Sequence, residues 1–291
     1  MPILGQDLSR ALSLRVAILG PGLIGGSLAL ALTRLPNRFV VSVWARRNEA
    51  ALEAQSILLG CHVTSSLSEA LSDCDIAVLC MSPHAIVESA KNLAPLLPPS
   101  AIVTDAGSVK SRIVTAMESV FGARFAGAHP MAGSEQHGIH ASRPDLYSGA
   151  LCLLTPTPLT GKRAIDLSRE IWSAAGCIIK EMSPAQHDEA LARVSHLPHA
   201  AAAALARAAI GKIPSLIELS GAGFRDSTRI ASGPAPMWSE ILLDNRESIL
   251  AGIRDLQNEL KTLTLGLEHN DSAAVEQFLA EAALLRSRTP F

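Results

Sequence analysis

Residues 15–27 read RVAILGPGLIGGS, and this stretch decides the fold. A short run of β-branched and apolar residues leads directly into Gly20, Gly22 and Gly25, and a stretch rich in Ala and Leu follows. In this pattern the first glycine permits a tight turn, the second lets the backbone approach a pyrophosphate, and the third lets the helix pack on the strand. Free N–H groups and the helix dipole then face the phosphates. The stretch predicts a strand, a turn and a helix that bind a dinucleotide, rather than a chance glycine loop.

The composition indicates a globular protein without a strongly charged surface. The chain has 291 residues, 48% of them hydrophobic, and a formal net charge of −2. That length can fill two domains with buried cores. Because no long Lys or Arg run is present, we expect neither nucleic acid nor a membrane as a partner. No signal peptide or run of 18 apolar residues is visible, which predicts a cytoplasmic protein. The five widely spaced cysteines argue against a disulfide framework or a zinc site, so we expect no metal.

Short apolar runs alternate with helical stretches from residue 15 to about residue 182. This is the pattern of βαβ units around a mostly parallel sheet. The predicted strands are 16–19, 40–44, 76–80, 102–104, 125–128, 151–154 and 177–180. We therefore predict an α/β, Rossmann-type dinucleotide-binding domain over residues 1–182.

The pattern changes at Ser183, which begins the sequence Ser-Pro-Ala-Gln. Serine is a good N-cap, proline fits the first helical position, and glutamine three residues after the cap completes a capping box. A long helix is predicted to follow, through an alanine-rich segment, and residues 237–268 and 272–288 also have helical patterns. We predict an all-helical substrate and dimerisation domain over residues 183–291. Small side chains allow close helix packing, from which we expect a homodimer.

The residues after the second predicted strand bear on the choice of dinucleotide. An NAD-selective enzyme usually places Asp or Glu about 20 residues past the glycines, where it binds the ribose hydroxyls. Here Ala45 occupies that place, and Arg46 and Arg47 follow. A guanidinium can bind a 2′-phosphate through two hydrogen bonds, so we favour NADP, with NAD as the alternative and a surface role as the other interpretation of the arginines. The residues expected to contact the dinucleotide are Gly20, Gly22, Leu23, Ile24, Gly25, Arg46, Arg47, Ser82 and Pro83.

Two polar side chains, Ser108 and His129, follow neighbouring predicted strands. The carboxyl ends of parallel strands form the edge where ligands bind, so both should lie beside the dinucleotide. A histidine with an ordinary pKa is largely neutral at physiological pH and can accept a proton. Hydride transfer from a carbinol carbon requires such an acceptor for the hydroxyl proton. We therefore predict a catalytic His129, rather than a histidine that only binds a loop carbonyl.

The helical half supplies further candidates for a substrate site. His196 and His199 are three residues apart in the predicted long helix, so both can face a cleft between the domains. A buried, structural histidine is the other interpretation, and it suits His196 better than His199. A glycine-rich turn leads to Arg229, whose guanidinium suits a carboxylate of a small acidic substrate. Trp238 could line a pocket or only pack the helices.

Together, these segments resemble the prephenate/arogenate dehydrogenases of tyrosine biosynthesis. The matching segments, in chain order, are GPGLIGGSLALAL, TDAGSVK, GAHPMAGSE, SPAQHDEALARVSHLPH and GAGFRDSTRIA. The resemblance implies NAD(P)-dependent oxidative decarboxylation of prephenate or arogenate at a site between a dinucleotide-binding domain and a helical dimerisation domain. It also implies that His129 accepts the proton of the C4 hydroxyl and that Ser108 orients this hydroxyl.

The same resemblance implies roles for residues of the substrate site. Arg229 corresponds to the arginine that binds a carboxylate, His199 to a further substrate contact and Trp238 to part of the pocket wall. Glu135 and Arg225 correspond to a pair that gates the site.

Two other functions fit parts of the pattern. A β-hydroxyacid dehydrogenase has a similar sheet and helical domain but uses a lysine of the helical domain as its acid and base. No lysine occurs between Glu181 and Gly211, which counts against that function. A non-catalytic dinucleotide-binding regulator requires neither a proton acceptor nor an anion pocket, so His129 and Arg229 together count against it.

Overall fold

The computed structural model describes residues 13–134 and 136–288. An eight-stranded sheet lies at the centre of the first half, in the order β3-β2-β1-β4-β5-β6-β7-β8. Every neighbouring pair is parallel except β6 and β7, which confirms the predicted mostly parallel, Rossmann-type sheet. The strands are β1 (Leu14–Leu19), β2 (Phe39–Trp44), β3 (His62–Thr64), β4 (Ile76–Leu79), β5 (Ile102–Asp105), β6 (Phe125–Pro130), β7 (Leu151–Thr155) and β8 (Ile178–Glu181).

Helices cover both faces of this sheet. They are α1 (Leu23–Thr33), α2 (Asn48–Ile57), α3 (Leu67–Leu71), α4 (Pro83–Leu93), α5 (Ser111–Phe121) and α6 (Lys162–Ala174). Successive side chains of a strand point to opposite faces, so β1 supplies two separate cores. Val16 and Ile18 belong to one buried cluster, and Ala17 and Leu19 belong to the other. The continuous apolar sequence of the central strands follows from burial on both faces.

The second half is helical, as predicted. Its helices are α7 (Pro184–Leu191), α8 (Leu197–Ile210), α9 (Ala222–Thr228), α10 (Ala235–Asp244), α11 (Arg246–Glu268) and α12 (Ser272–Ser287). Ile241 of α10 is 2% exposed and belongs to a core cluster of the sheet domain. Helix α10 therefore packs directly on the first half of the chain.

Four local features differ from the sequence prediction. The three-residue strand β3 carries too short an apolar pattern to be recognised. The predicted long helix contains a π-helical segment, Ala192–His196, just before Pro198, whose missing N–H cannot continue the α-helical ladder. The predicted helix 237–268 is divided at Asn245, which has non-helical backbone angles. The glycine-rich segment after Ser220 forms helix α9 rather than an open turn.

Within the described residues, no helix is long and apolar enough to cross a membrane.

Candidate active site

The glycine turn joins β1 to α1 at the carboxyl edge of the sheet. Gly20 has φ +109°, a conformation that other residues rarely adopt, and a Cβ there would lie 2.5 Å from the Cys80 carbonyl oxygen. A Cβ at Gly25 would collide with the Gly20 carbonyl oxygen, so this glycine lets α1 pack on the turn. A Cβ at Gly22 would meet no atom of the described residues within 4 Å. The turn therefore fits a dinucleotide. The backbone at Gly22 leaves room for a phosphate, whereas Gly20 and Gly25 are held in place by packing.

The loop that follows β6 packs on the same helix. The Tyr147 hydroxyl donates a hydrogen bond to the Ile24 carbonyl at 2.5 Å. A Cβ at Gly26 would lie 2.6 Å from Ile139 and 2.9 Å from Ser142, so the absence of a side chain leaves room for this loop. The segment after His129 and the glycine turn are thus one packed unit.

Arg46 and Arg47 lie just past the carboxyl end of β2, and both are exposed. Neither guanidinium has an ion-pair or hydrogen-bond partner in the part of the chain that the structure describes. Ala45, at the place where an acidic residue would bind ribose hydroxyls, is buried, and its N–H donates to the Thr64 carbonyl. Two guanidinium groups without a partner among the described residues therefore lie at the carboxyl end of β2.

Ser82 and Pro83 begin helix α4 after β4. The Ser82 hydroxyl accepts a hydrogen bond from the Ala85 N–H at 3.4 Å, and Pro83 occupies the first turn. This is the usual arrangement of a capped helix start, and it accounts for both residue types. Their predicted contact with a dinucleotide stays a prediction.

A buried ion pair connects β5 to β6 beneath the site. Lys110 and Asp105 are both fully buried; the ammonium donates to the Asp105 carboxylate and, at 2.7 Å, to the Ala128 carbonyl. Asp105 also accepts from the Ala128 N–H at 3.0 Å. These bonds fix the end of β6, where His129 stands. Ser108 lies between Asp105 and Lys110, and its hydroxyl has no hydrogen-bond partner among the described residues.

His129 is the first member of a hydrogen-bonded chain that enters the helical half. Its Nδ1 lies 2.9 Å from Nε2 of His187, and Nδ1 of His187 lies 2.8 Å from Oδ1 of Asp188. Oδ1 of Asp188 accepts from the Lys110 N–H at 2.7 Å, and Oδ2 accepts from the Ser111 N–H at 2.8 Å, at the start of α5. Nε2 of His129 has no hydrogen-bond partner among the described residues and is not fully enclosed by them. When this nitrogen carries no hydrogen, it is free to accept a proton from a ligand.

The surroundings keep the two imidazoles neutral. Burial holds the pKa of His129 well below its ordinary value, and the nearby His187 and Lys110 act in the same direction. Burial also lowers the pKa of His187, and its hydrogen bond to Asp188 opposes this only in part. Burial opposes ionisation of Asp188, but hydrogen bonds from His187, Ser111 and Lys110 lower the pKa of this carboxyl to about 2.

His196 is held inside the protein by Asn245. It is 1% exposed, its Nδ1 lies 3.2 Å from the Asn245 amide nitrogen, and that amide also donates to the Asp188 carbonyl at 2.7 Å. Burial, with His187 nearby, lowers the pKa of His196 to about 4. These contacts favour the structural interpretation of His196 over direct substrate binding.

His199 and Trp238 form a stacked pair, with ring centroids 3.5 Å apart and planes 10° apart. Nδ1 of His199 is buried without a hydrogen-bond partner, and burial lowers the pKa of this histidine. A Cβ at Gly233 would collide with Trp238 and lie 3.2 Å from His199, so this glycine makes room for the stack.

Arg225 and Arg229 are exposed and lie on two segments that pack against α8. Arg225 is on α9, and Arg229 begins the short 3₁₀ turn Arg229–Ser232, which packs against α8. Glu135, the predicted partner of Arg225 in a gate, lies outside the described residues. The roles of these three residues stay predictions.

The sequence patterns do not identify His187, Asp188 or Asn245 as site residues, although the first two lie in the segment SPAQHDEALARVSHLPH. Adjacent histidine and aspartate in the first turns of a predicted helix were the available signal. Their partners lie far away along the chain: His129 is 58 residues from His187, and Asn245 is 57 residues from Asp188. Local patterns could not predict these contacts.

Two family models match the chain. The model described as "Prephenate dehydrogenase, nucleotide-binding domain" matches residues 28–181, and the model described as "Prephenate dehydrogenase, dimerization domain" matches residues 183–281.

Named relatives cover nearly the whole chain. The cyclohexadienyl dehydrogenase of Zymomonas mobilis is 30% identical over 93% of this chain and 94% of its own length. A crystal structure of the prephenate dehydrogenase from A. aeolicus in complex with hydroxyphenyl propionate and NAD⁺ is 33% identical, covers 94% of this chain and 97% of its own, and has a TM-score of 0.88. The Synechocystis arogenate dehydrogenase structure is 28% identical, covers 94% of this chain and 99% of its own, and has a TM-score of 0.80.

Proposed function

Because the chain belongs to the prephenate dehydrogenase family, we propose that it catalyses the NAD(P)-dependent oxidative decarboxylation of prephenate or arogenate. The products are 4-hydroxyphenylpyruvate and tyrosine, respectively. The observation that carries this proposal is the free Nε2 of His129, at the same sheet edge as the open backbone of Gly22. A proton acceptor and a dinucleotide cradle at one edge are the minimum that this reaction requires.

The dinucleotide binds at the glycine turn, with its pyrophosphate against Gly22 and the start of α1. Helix N–H groups of Leu23 and Ile24 lie in the first turn, where they lack intrahelical partners. When bound, the oxidised nicotinamide accepts the hydride that leaves C4 of the substrate ring. Arg46 and Arg47 bind the 2′-phosphate of NADP, the dinucleotide that this edge favours over NAD.

The chain supplies one proton acceptor and the alignment of the reactants. Nε2 of His129 takes the hydroxyl proton as the C4 hydride leaves, and Ser108 orients that hydroxyl. The ring carboxylate departs as CO₂, and its bonding electrons enter the ring, which becomes aromatic. Aromatisation supplies the driving force, whereas alignment is worth up to about 7–11 kcal/mol of barrier and a general base about 10²–10⁴-fold in rate.

The substrate lies between the sheet edge and the start of α8. Arg229 binds a carboxylate, and the stacked rings of His199 and Trp238 form the wall of the pocket. Glu135 and Arg225 are the proposed gating pair of the site, as the resemblance to the family implies. The unpartnered Nδ1 of His199 supports this placement, because a buried polar atom without a partner is costly unless a ligand satisfies it.

The enzyme acts as a homodimer formed through its helical half. Exposed leucines on α8, α11 and α12 support this assembly: Leu205, Leu250, Leu260, Leu265, Leu279, Leu284 and Leu285. Light scattering at micromolar concentration should give twice the mass of one chain. A single-chain mass would contradict the dimer and leave the chemistry to be tested separately.

One spectrophotometric experiment tests the reaction. Prephenate and arogenate are each added to the enzyme with NADP or NAD, and the absorbance of the reduced nicotinamide is followed together with product formation. We expect reduction with at least one substrate, and formation of one CO₂ per reduced nicotinamide. Reduction only with a β-hydroxyacid, or binding of the dinucleotide without turnover of any of these substrates, would overturn the proposal.

A further inference from the structure

We propose that His187 and Asp188 control the proton on His129: they fix the tautomer that leaves Nε2 free and then take up the positive charge formed when that nitrogen is protonated. The inference rests on the proposed function and extends it to two residues that do not touch the substrate. His187 is fully buried, and it lies between His129 and Asp188 with a hydrogen bond at each ring nitrogen. Both are positioning residues for His129.

The chain of contacts fixes the direction of each hydrogen bond. Asp188 is ionised and can only accept, so Nδ1 of His187 must carry a hydrogen. Nε2 of a neutral His187 then has no hydrogen and accepts from Nδ1–H of His129. Nε2 of His129 is left with a lone pair, which is the state a proton acceptor requires.

The anchor of this chain is independent of the imidazoles. Both oxygens of Asp188 accept N–H groups at the start of α5, from Lys110 and Ser111. Asn245, the residue before α11, donates to the main-chain carbonyl of Asp188. Two main-chain N–H groups thus hold the carboxylate, and Asn245 holds the backbone of the same residue. The carboxylate is in place without His187, so the second hydrogen bond of this ring, to Nδ1 of His129, serves His129.

The charged groups around the two rings explain why a second imidazole is useful. Lys110, paired to Asp105, lies near His129, and its charge disfavours an imidazolium at that position. His196, which is also near His129, has a pKa lowered to about 4 and is neutral at physiological pH. The negative charge on the far side of His187 is Asp188. A positive charge is therefore better placed on His187 than on His129.

The proton transfer balances within the hydrogen-bonded series of His129, His187 and Asp188, because each bond that forms to hydrogen is matched by one that breaks. When Nε2 of His129 receives the substrate proton, its Nδ1–H bond breaks as an Nε2–H bond forms on His187. His129 becomes neutral again, and the charge lies beside Asp188. The proton on His187 returns to Nδ1 of His129 as the proton on Nε2 leaves to water, which restores the starting tautomer.

Two substitutions at one position separate tautomer control from proton uptake. His187→Gln keeps an acceptor for Nδ1–H of His129 but cannot take a proton, whereas His187→Leu removes both properties. We expect kcat to fall by about 10²-fold with leucine and by about 10-fold with glutamine. The exposed His269→Leu is the matched control, and thermal melts check that each variant is folded.

The pH profile supplies a readout that a merely structural role would not move. Without His187, the charge of a protonated His129 cannot pass to a ring beside Asp188 and stays next to Lys110, so protonation becomes less favourable and the pKa of His129 falls further. The acidic limb of kcat/KM should therefore move to lower pH in both variants. If kcat and this limb matched wild type in folded variants, the relay would be excluded.

Nitrogen NMR of the ¹⁵N-histidine-labelled protein tests the tautomer without any substrate. We expect Nδ1–H and an unprotonated Nε2 for His129 in wild type and in His187→Gln, and a mixture of tautomers in His187→Leu. An Nε2–H signal for His129 in wild type would overturn the assignment. If wild type turned over neither prephenate nor arogenate, the proposed function would fail, whereas these spectra would still decide the tautomer.

Discussion

The indole ring of Trp238 lies flat against the imidazole of His199, with their centroids 3.5 Å apart. The two residues come from different helices, α10 and α8, so the stack joins α10 to the first turn of α8. His196 meets the same indole edge-on, with centroids 6.3 Å apart. The proposed pocket wall therefore depends on how α10 packs against α8.

A side chain at residue 233 should displace this stack. In Gly233→Ala, the new Cβ would collide with the Trp238 indole, so the ring must move away from His199. We expect KM for the substrate to rise by about 10-fold or more, because one pocket contact is worth about 1–3 kcal/mol. Gly223→Ala is the control, since a Cβ at that position meets no atom within 4 Å. Equal KM values in the two variants would show that the stack of His199 on Trp238 does not contribute to substrate binding.

The open backbone of Gly22 allows dinucleotide binding to be tested apart from folding. Gly22→Ala adds a methyl group where no protein atom lies, so the melting temperature without ligand should stay close to that of wild type. Affinity for the dinucleotide, measured by calorimetry, should fall by at least about 10-fold because the methyl group occupies the phosphate cradle. Gly25→Ala should instead lower the melting temperature, since its Cβ meets the Gly20 carbonyl. Unchanged affinity in Gly22→Ala would place the dinucleotide elsewhere.

Arg46 and Arg47 should decide the choice between NADP and NAD. Replacing both by alanine removes the partners of a 2′-phosphate, and we expect KM for NADP to rise by about 10- to 100-fold while KM for NAD changes little. Arg34→Ala, on another exposed part of the sheet domain, is the control. Wild-type specificity constants that favour NAD by tenfold or more would contradict the assignment.

His129 and Arg229 should affect different kinetic constants. His129→Asn removes the proton acceptor, so kcat should fall by about 10²–10⁴-fold with a small change in KM. Arg229→Ala removes a carboxylate contact and should chiefly raise KM, whereas the exposed Arg207→Ala serves as a surface control. Small and equal effects of the first two substitutions would contradict both roles.

The buried histidines should make the protein sensitive to acid. Because their pKa values are lower in the folded state, the unfolded chain binds more protons below about pH 6.5, and the free energy of unfolding falls with pH. For His196, with a folded pKa of about 4, the loss between pH 7 and pH 5 is about 2 kcal/mol. The lowered pKa of Asp188 acts in the same direction only below about pH 4. Urea unfolding at both pH values should give a smaller difference for His196→Gln, and an unchanged one for the exposed His269→Gln.

Local sequence patterns were sufficient for much of this protein. The turn at Gly20 and Gly25 joins one strand directly to one helix, so a short motif predicts it, although Cys80, just past β4, also packs against both glycines. The sheet class follows from apolar runs of strand length separated by helices. The same local order places Ser108 just past β5 and His129 near the carboxyl end of β6, because residues at the ends of adjacent parallel strands share one edge.

Tertiary structure decided what surrounds these residues. The contact of His129 with His187, the amide of Asn245 on Asp188 and the Trp238 stack each join segments that are far apart in the chain. No periodicity encodes such contacts, since they depend on how the helical half packs against the sheet. The sequence alone thus determined the fold class, the dinucleotide turn and the histidine at the edge. Only the packing of the two halves determined which nitrogen of that histidine is free, because its hydrogen-bond partner comes from a distant helix.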